Sequence, residues 1–139
     1  MRSKINNNLL FVRIDRGESI IESIKTACRS NNVRSAMISG IGATDHFVCG
    51  VYNIEKGAYK EIKFEGQFEI LSLSGNITSK DNDVYVHAHI CASDENGASF
   101  GGHLIEARVS VTCELILVLS DTSINRRFDQ SVGINLMDL

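Results

Sequence analysis

The sequence contains no proline. Pro-rich linkers and polyproline II ligand segments are therefore excluded. No apolar run approaches the ~20 residues needed to cross a bilayer as a helix. The longest such run is Leu115–Leu119. The stretch Met1–Asn8 has no apolar core of the signal-peptide kind, so a cytoplasmic protein is expected. Basic clusters are equally scarce, with none longer than Arg126-Arg127. Net charge is −3, which argues against strong non-specific nucleic-acid binding, since that depends on cations neutralising phosphates. The four cysteines (Cys28, Cys49, Cys91, Cys113) show no Cys-x-x-Cys spacing. Each lies among apolar residues and reads as a buried small hydrophobe in a reducing compartment.

What is present describes an ordinary globule. The chain has 139 residues, 43% hydrophobic and 22% charged. One domain spanning 1–139 is expected, large enough to build a core without disulfides. Leu9–Ile14 is β-prone and is broken by Asp15-Arg16-Gly17. Ile20, Ile21, Ile24, Ala27 and Cys28 then recur at helical spacing, predicting one main α-helix over about residues 18–31. Glu18 and Glu22 near its start and Lys25 and Arg29 near its end suit the helix dipole.

Strand character resumes at Val33–Ile38. Ser39-Gly40-Ile41-Gly42 lacks the third glycine of a dinucleotide fingerprint, so the two glycines read as a bend or bulge. Strands follow over Val48–Ile54 and Ala58–Phe64, joined by Glu55-Lys56-Gly57, then over Gln67–Ile77, Val84–Ala92 and Arg108–Leu119. In the last strand the period-2 pattern puts Val109, Val111, Cys113, Leu115, Leu117 and Leu119 on one face. Phe128, Ile134 and Leu136 are expected to fold the tail back onto the body. The fold class is α+β, a mostly antiparallel sheet with one helix.

Three of the four histidines fall between Tyr85 and Glu114. His87 and His89 are spaced i, i+2 in a strand and so share a face. Asp94-Glu95-Asn96-Gly97-Ala98 is a three-residue hairpin connection with Gly97 in the left-handed position. If Asp94 pairs with Ala98, His89 stands opposite His103. A slip of one residue would send His103 to the other face. Taken singly, His87 and His89 read as half-buried strand residues satisfied by backbone or water, and His103 as a turn residue. Taken together, they form a candidate site for a divalent metal or an anion. Three imidazoles on zinc leave the fourth position open. Glu106 and Glu114 are the carboxylates close enough in sequence to accept from a ring N–H or to act as acid and base. His46 reads as a surface or loop residue. Composition and spacing assign no catalytic or DNA-contacting residue.

The motifs Ser39-Gly40-Ile41-Gly42-Ala43, Phe64–Asn76, His87-Ala88-His89, Gly101-Gly102-His103-Leu104 and Thr112-Cys113-Glu114 resemble those of stand-alone PPC (plant and prokaryote conserved) domains. The similarity runs from about Leu9 to Leu136. It implies an α/β fold with an antiparallel sheet, assembled as a homotrimer. Plant members bind DNA through an AT-hook with an Arg-Gly-Arg core, which this sequence lacks. Bacterial and archaeal stand-alone members are commonly labelled DNA-binding by that similarity. The PPC fold also resembles acetolactate decarboxylase, which uses a three-histidine zinc site. Carried over by position, that implies His87, His89 and His103 as ligands. The enzyme's other catalytic residues have no match here. The resemblance therefore implies a DNA-binding or DNA-associated regulatory protein with a three-histidine metal site. The alternative is a metal-dependent enzyme or small-ligand-binding protein without direct DNA contact.

Overall fold

Two turns built by asparagine and aspartate frame the sheet. A computed structural model describes all of residues 1–139. At the first turn Asn7 adopts φ 53° and connects β1 (Arg2–Asn6) to β2 (Leu9–Asp15), an edge hairpin not expected from the polar composition of Arg2–Asn6. At the second, Asp81 and Asn82 both take positive φ between β4 (Ala58–Lys80) and β5 (Asp83–Ser93). Asn and Asp tolerate this region better than other non-glycine residues.

The single helix, α1, spans Ile20–Ser30. Ser19 caps it, its Oγ accepting from the Glu22 N–H at 3.4 Å. Ile20, Ile24, Ala27 and Cys28 are buried, one apolar stripe laid against β2, β5 and β6. Burying each large aliphatic side chain contributes about 1.5–3 kcal/mol.

The long strands β3 (Ala36–Asn53), β4, β5 and β6 (Ser99–Leu119) pair antiparallel in a cycle. β3 is continuous through Gly40 and Gly42, where its register against β4 shifts, so the two glycines form the expected irregularity. β4 likewise runs on through Gly66. Inside the cycle lie Ile38, Cys49, Leu73, Ala88, Ile90 and Leu104, all buried. Phe47 stacks on Phe64 with centroids 4.6 Å apart and meets Phe68 edge-on.

One expectation fails on β6. Val111 does not join Val109 and Cys113 inside; it is 68% exposed. The pairing explains it: Gly42 faces Cys113 and Thr44 faces Val109, so β6 carries extra residues there, and a bulge turns Val111 outward. The tail does return, as a hairpin of β7 (Asn125–Asp129) and β8 (Ile134–Asp138), with Asn125 pairing parallel to Ser79. Phe128 and Leu136, however, stay exposed. No helix is long and apolar enough to cross a membrane.

Candidate metal centre

His87 and His89 flank Ala88, which is buried in the core. The two imidazoles therefore project together from the outer face of β5. The hairpin that brings up β6 is held by its own turn. The Asp94 N–H donates to the Ala98 carbonyl at 3.0 Å, and Asp94 Oδ1 accepts from the Asn96 and Ala98 N–H groups at 2.9 Å each. Gly97 takes φ 81°. Counting back from that turn, His89 pairs with His103. Gly101 permits this approach, since a Cβ there would overlap the Ile90 carbonyl oxygen of β5, and Gly102 lets β6 pass β3, where a Cβ would lie 2.8 Å from the Gly50 carbonyl oxygen.

The three rings meet with centroids 5.1–5.6 Å apart, and one ligand atom from each lies within 4.8 Å of the others. Tyr59 stacks on His103 at 4.7 Å and fixes the plane of that ring. Burial, then the neighbouring His87, His89 and Arg126, push the His103 pKa down to about 4. Burial also lowers that of His87, helped by Arg126 and His89. Both rings are therefore neutral near pH 7, with a lone pair to donate, as metal ligation requires. His103 Nδ1 is buried with no hydrogen-bond partner. An orphaned ring nitrogen among converging imidazoles is the donor set that suits a borderline divalent ion.

The two glutamates lie elsewhere. Glu106 Oε1 is 3.3 Å from His46 Nε2. Glu114 sits farther along β6, opposite Arg13 and Ile41. Neither hydrogen-bonds the three histidines; β6 is too long for closeness in sequence to mean closeness in space. His46 is a β3 residue whose Nδ1 is 3.0 Å from Glu65 Oε1. Its side chain is largely covered rather than free on a loop.

A residue not anticipated from sequence completes the site. Arg126 of β7 reaches His87 Nδ1 with its Nη2 at 3.2 Å. Its Nε donates to Thr78 Oγ1, its Nη1 to the Asn135 carbonyl and its Nη2 to Asn76 Oδ1, each at 2.8 Å. The guanidinium lies over the Tyr85 ring, 4.7 Å from its centroid. Asn76 pairs with His87, and Thr78 with Tyr85, across β4 and β5, so Arg126 is fastened to the same ladder that presents the histidines. Only its place in a basic pair was visible in the chain. A pocket of about 200 Å³ opens here, lined by Tyr59, Tyr85, His87, His103, Arg126 and Phe128 among others. A larger concavity of about 590 Å³ lies away from the histidines, against Phe11, Ile41 and Ile116.

The fold is shared with solved structures. A protein from Bacteroides thetaiotaomicron described as a "putative DNA binding protein" superposes with TM-score 0.94 at 28% identity, covering 99% of this chain and 96% of that one. A plant- and prokaryote-conserved protein from Pyrococcus horikoshii gives 0.88 at 32% identity, covering 99% and 95%. A protein from Archaeoglobus fulgidus described as metal-containing gives 0.88 at 31%, covering 99% and 97%. Acetolactate decarboxylase of Bacillus subtilis shares the fold more loosely, with TM-score 0.56 at 15% identity over 84% of this chain and 54% of the enzyme. No curated protein matches the sequence. The model of the Plants and Prokaryotes Conserved (PCC) domain matches residues 1–120, and the chain belongs to that family.

Proposed function

We propose that this PCC-domain protein holds a divalent metal, zinc being the natural candidate, on His87, His89 and His103, and that this centre is its functional site. The observation that carries the reading is the convergence of three imidazoles within 4.8 Å around a buried, unpartnered His103 nitrogen. The Archaeoglobus relative described as metal-containing supports it. A cation there would polarise a carbonyl or acidify a bound water. His87, His89 and His103 supply imidazole donors, Tyr59 holds one ring in plane, and Arg126 guards the approach. The chain works as a single unit over 1–139, a small-ligand-binding metalloprotein. Elemental analysis of untagged protein tests this. About one metal per chain is expected, falling below about 0.1 in the H87A/H89A double variant. Wild-type protein with less than about 0.1 would refute it.

A DNA-associated regulatory role is the second reading, favoured by the description of the Bacteroides relative. The net charge of −3 argues against a basic surface of the chain as the DNA contact, leaving an association through a DNA-bound partner. Mobility-shift titration at low salt decides whether DNA contact is direct; no shift at micromolar protein ends that reading. Both readings are compatible with a homotrimer. Exposed Ile41, Leu71 and Val111 form an apolar face suited to subunit contact.

A further inference from the structure

A neutral imidazole has one lone pair. In the structure His87 Nδ1 accepts from Arg126 Nη2 at 3.2 Å, so the lone pair is on Nδ1 and the ring proton on Nε2. A metal bound at Nε2 requires that proton to move to Nδ1, where it would face an N–H donor. A metal bound at Nδ1 takes the lone pair directly. Either way the contact with Arg126 is lost. Arg126 and a metal compete for one electron pair.

The consequence falls on Arg126. Four of its five N–H groups are engaged. Release from His87 frees a second, while Thr78, Asn76 and Asn135 keep the guanidinium in place. It would then stand beside a dication in a half-covered pocket with no carboxylate nearby. The titratable groups around Arg126 are the neutral rings of His87 and His103, with His89 beside them, and Tyr85; Glu106 and Glu114 are elsewhere. Such an accumulation of positive charge calls for an anion. The pocket's form narrows its class. A planar guanidinium with two free N–H groups matches the two oxygens of a carboxylate. The about 200 Å³ of space, walled by Tyr59, Tyr85, Phe128 and Ile134, suits a small, partly apolar body.

We infer that Arg126 is a metal-gated anchor for the carboxylate of a small organic acid. Metal binding at His87 releases the guanidinium, which then holds the ligand in the pocket beside Tyr59 and Tyr85. This rests on the metal reading above. The two ligands are thereby coupled, each tightening the other's binding.

The test uses the full chain, freed of metal with EDTA, Co²⁺ as a spectroscopic probe and propionate as the carboxylate. Propionate is expected to perturb the Co²⁺ d–d bands saturably in wild-type protein. Arg126→Gln should move the two affinities in opposite directions: Co²⁺ alone binds more tightly because its competitor is gone, and propionate binds at least about tenfold more weakly. Arg126→Lys, which keeps the charge but loses the fork, should fall between, and serves if the glutamine variant does not fold. Weaker Co²⁺ binding in the variants, or an unchanged propionate response, would overturn the inference and leave the metal site standing. Absence of Co²⁺ binding in wild-type protein would overturn both.

Discussion

His89 stands directly opposite His103 in the β5–β6 ladder. That pairing depends on the turn that begins at Asp94, whose Oδ1 accepts two backbone N–H groups. Asp94→Ala should therefore cost about 1 kcal/mol and weaken metal binding more than its distance from the histidines implies. Thermal melts in EDTA and Co²⁺ titrations measure the two effects separately. Unchanged Co²⁺ affinity in a destabilised variant would show that the register is held by something else.

Gly75 faces Ala88 between the two strand histidines. A Cβ there would overlap the His87 carbonyl oxygen and lie 2.6 Å from the Ala88 Cα. Both are backbone atoms and cannot swing aside. Gly75→Ala is expected to destabilise the protein by about 1–3 kcal/mol and to lower metal affinity by pushing β5 outward. A variant with wild-type melting temperature and metal content would contradict the close approach.

The end of α1 is tied to the start of β5 by a fork of hydrogen bonds, from Arg29 Nε and Nη2 to the Asp83 carboxylate at 3.0 and 2.7 Å. With Arg29 first and the Val84 N–H second, these lower the Asp83 pKa to about 2. A depressed carboxylate contributes stability above its unfolded pKa of about 3.9 and loses it as pH falls towards the folded value. Asp83→Ala should thus melt below wild type at pH 7, and the gap should close between about pH 4 and pH 2. A gap independent of pH would assign the loss to packing. Both side chains are well exposed, so the effect is small.

The apolar face around Ile41, Leu71 and Val111 should hold copies of the chain together. Light scattering is expected to give about three times the chain mass for wild-type protein and one chain mass for Val111→Asp. Val111 is outside the chain's own core, so the variant should keep its secondary structure by circular dichroism. A monomeric wild-type protein would remove the trimer.

Local periodicity carried much of this protein. The helix at Ile20–Ser30, the shared face of His87 and His89, and the hairpin register that pairs His89 with His103 all follow from sequence, because each is set by spacing within a few residues. The edge hairpin at Arg2–Asn6 was not legible, since its strand is exposed throughout and shows no alternation. Val111 defied its pattern because a bulge is a relation between two strands, not a property of one.

What only the tertiary structure decided is how charge is arranged around the histidines. Alternation along β5 and β6 could place three rings together, but it carries no information about which distant side chains meet them. The sheet sends Glu106 to His46 and Glu114 to the far part of β6. It brings Arg126 back from the tail onto His87 through a parallel pairing at Ser79. The meeting of the three rings was thus written into neighbouring residues, while the electrostatics around them depend on contacts that only the closed sheet creates.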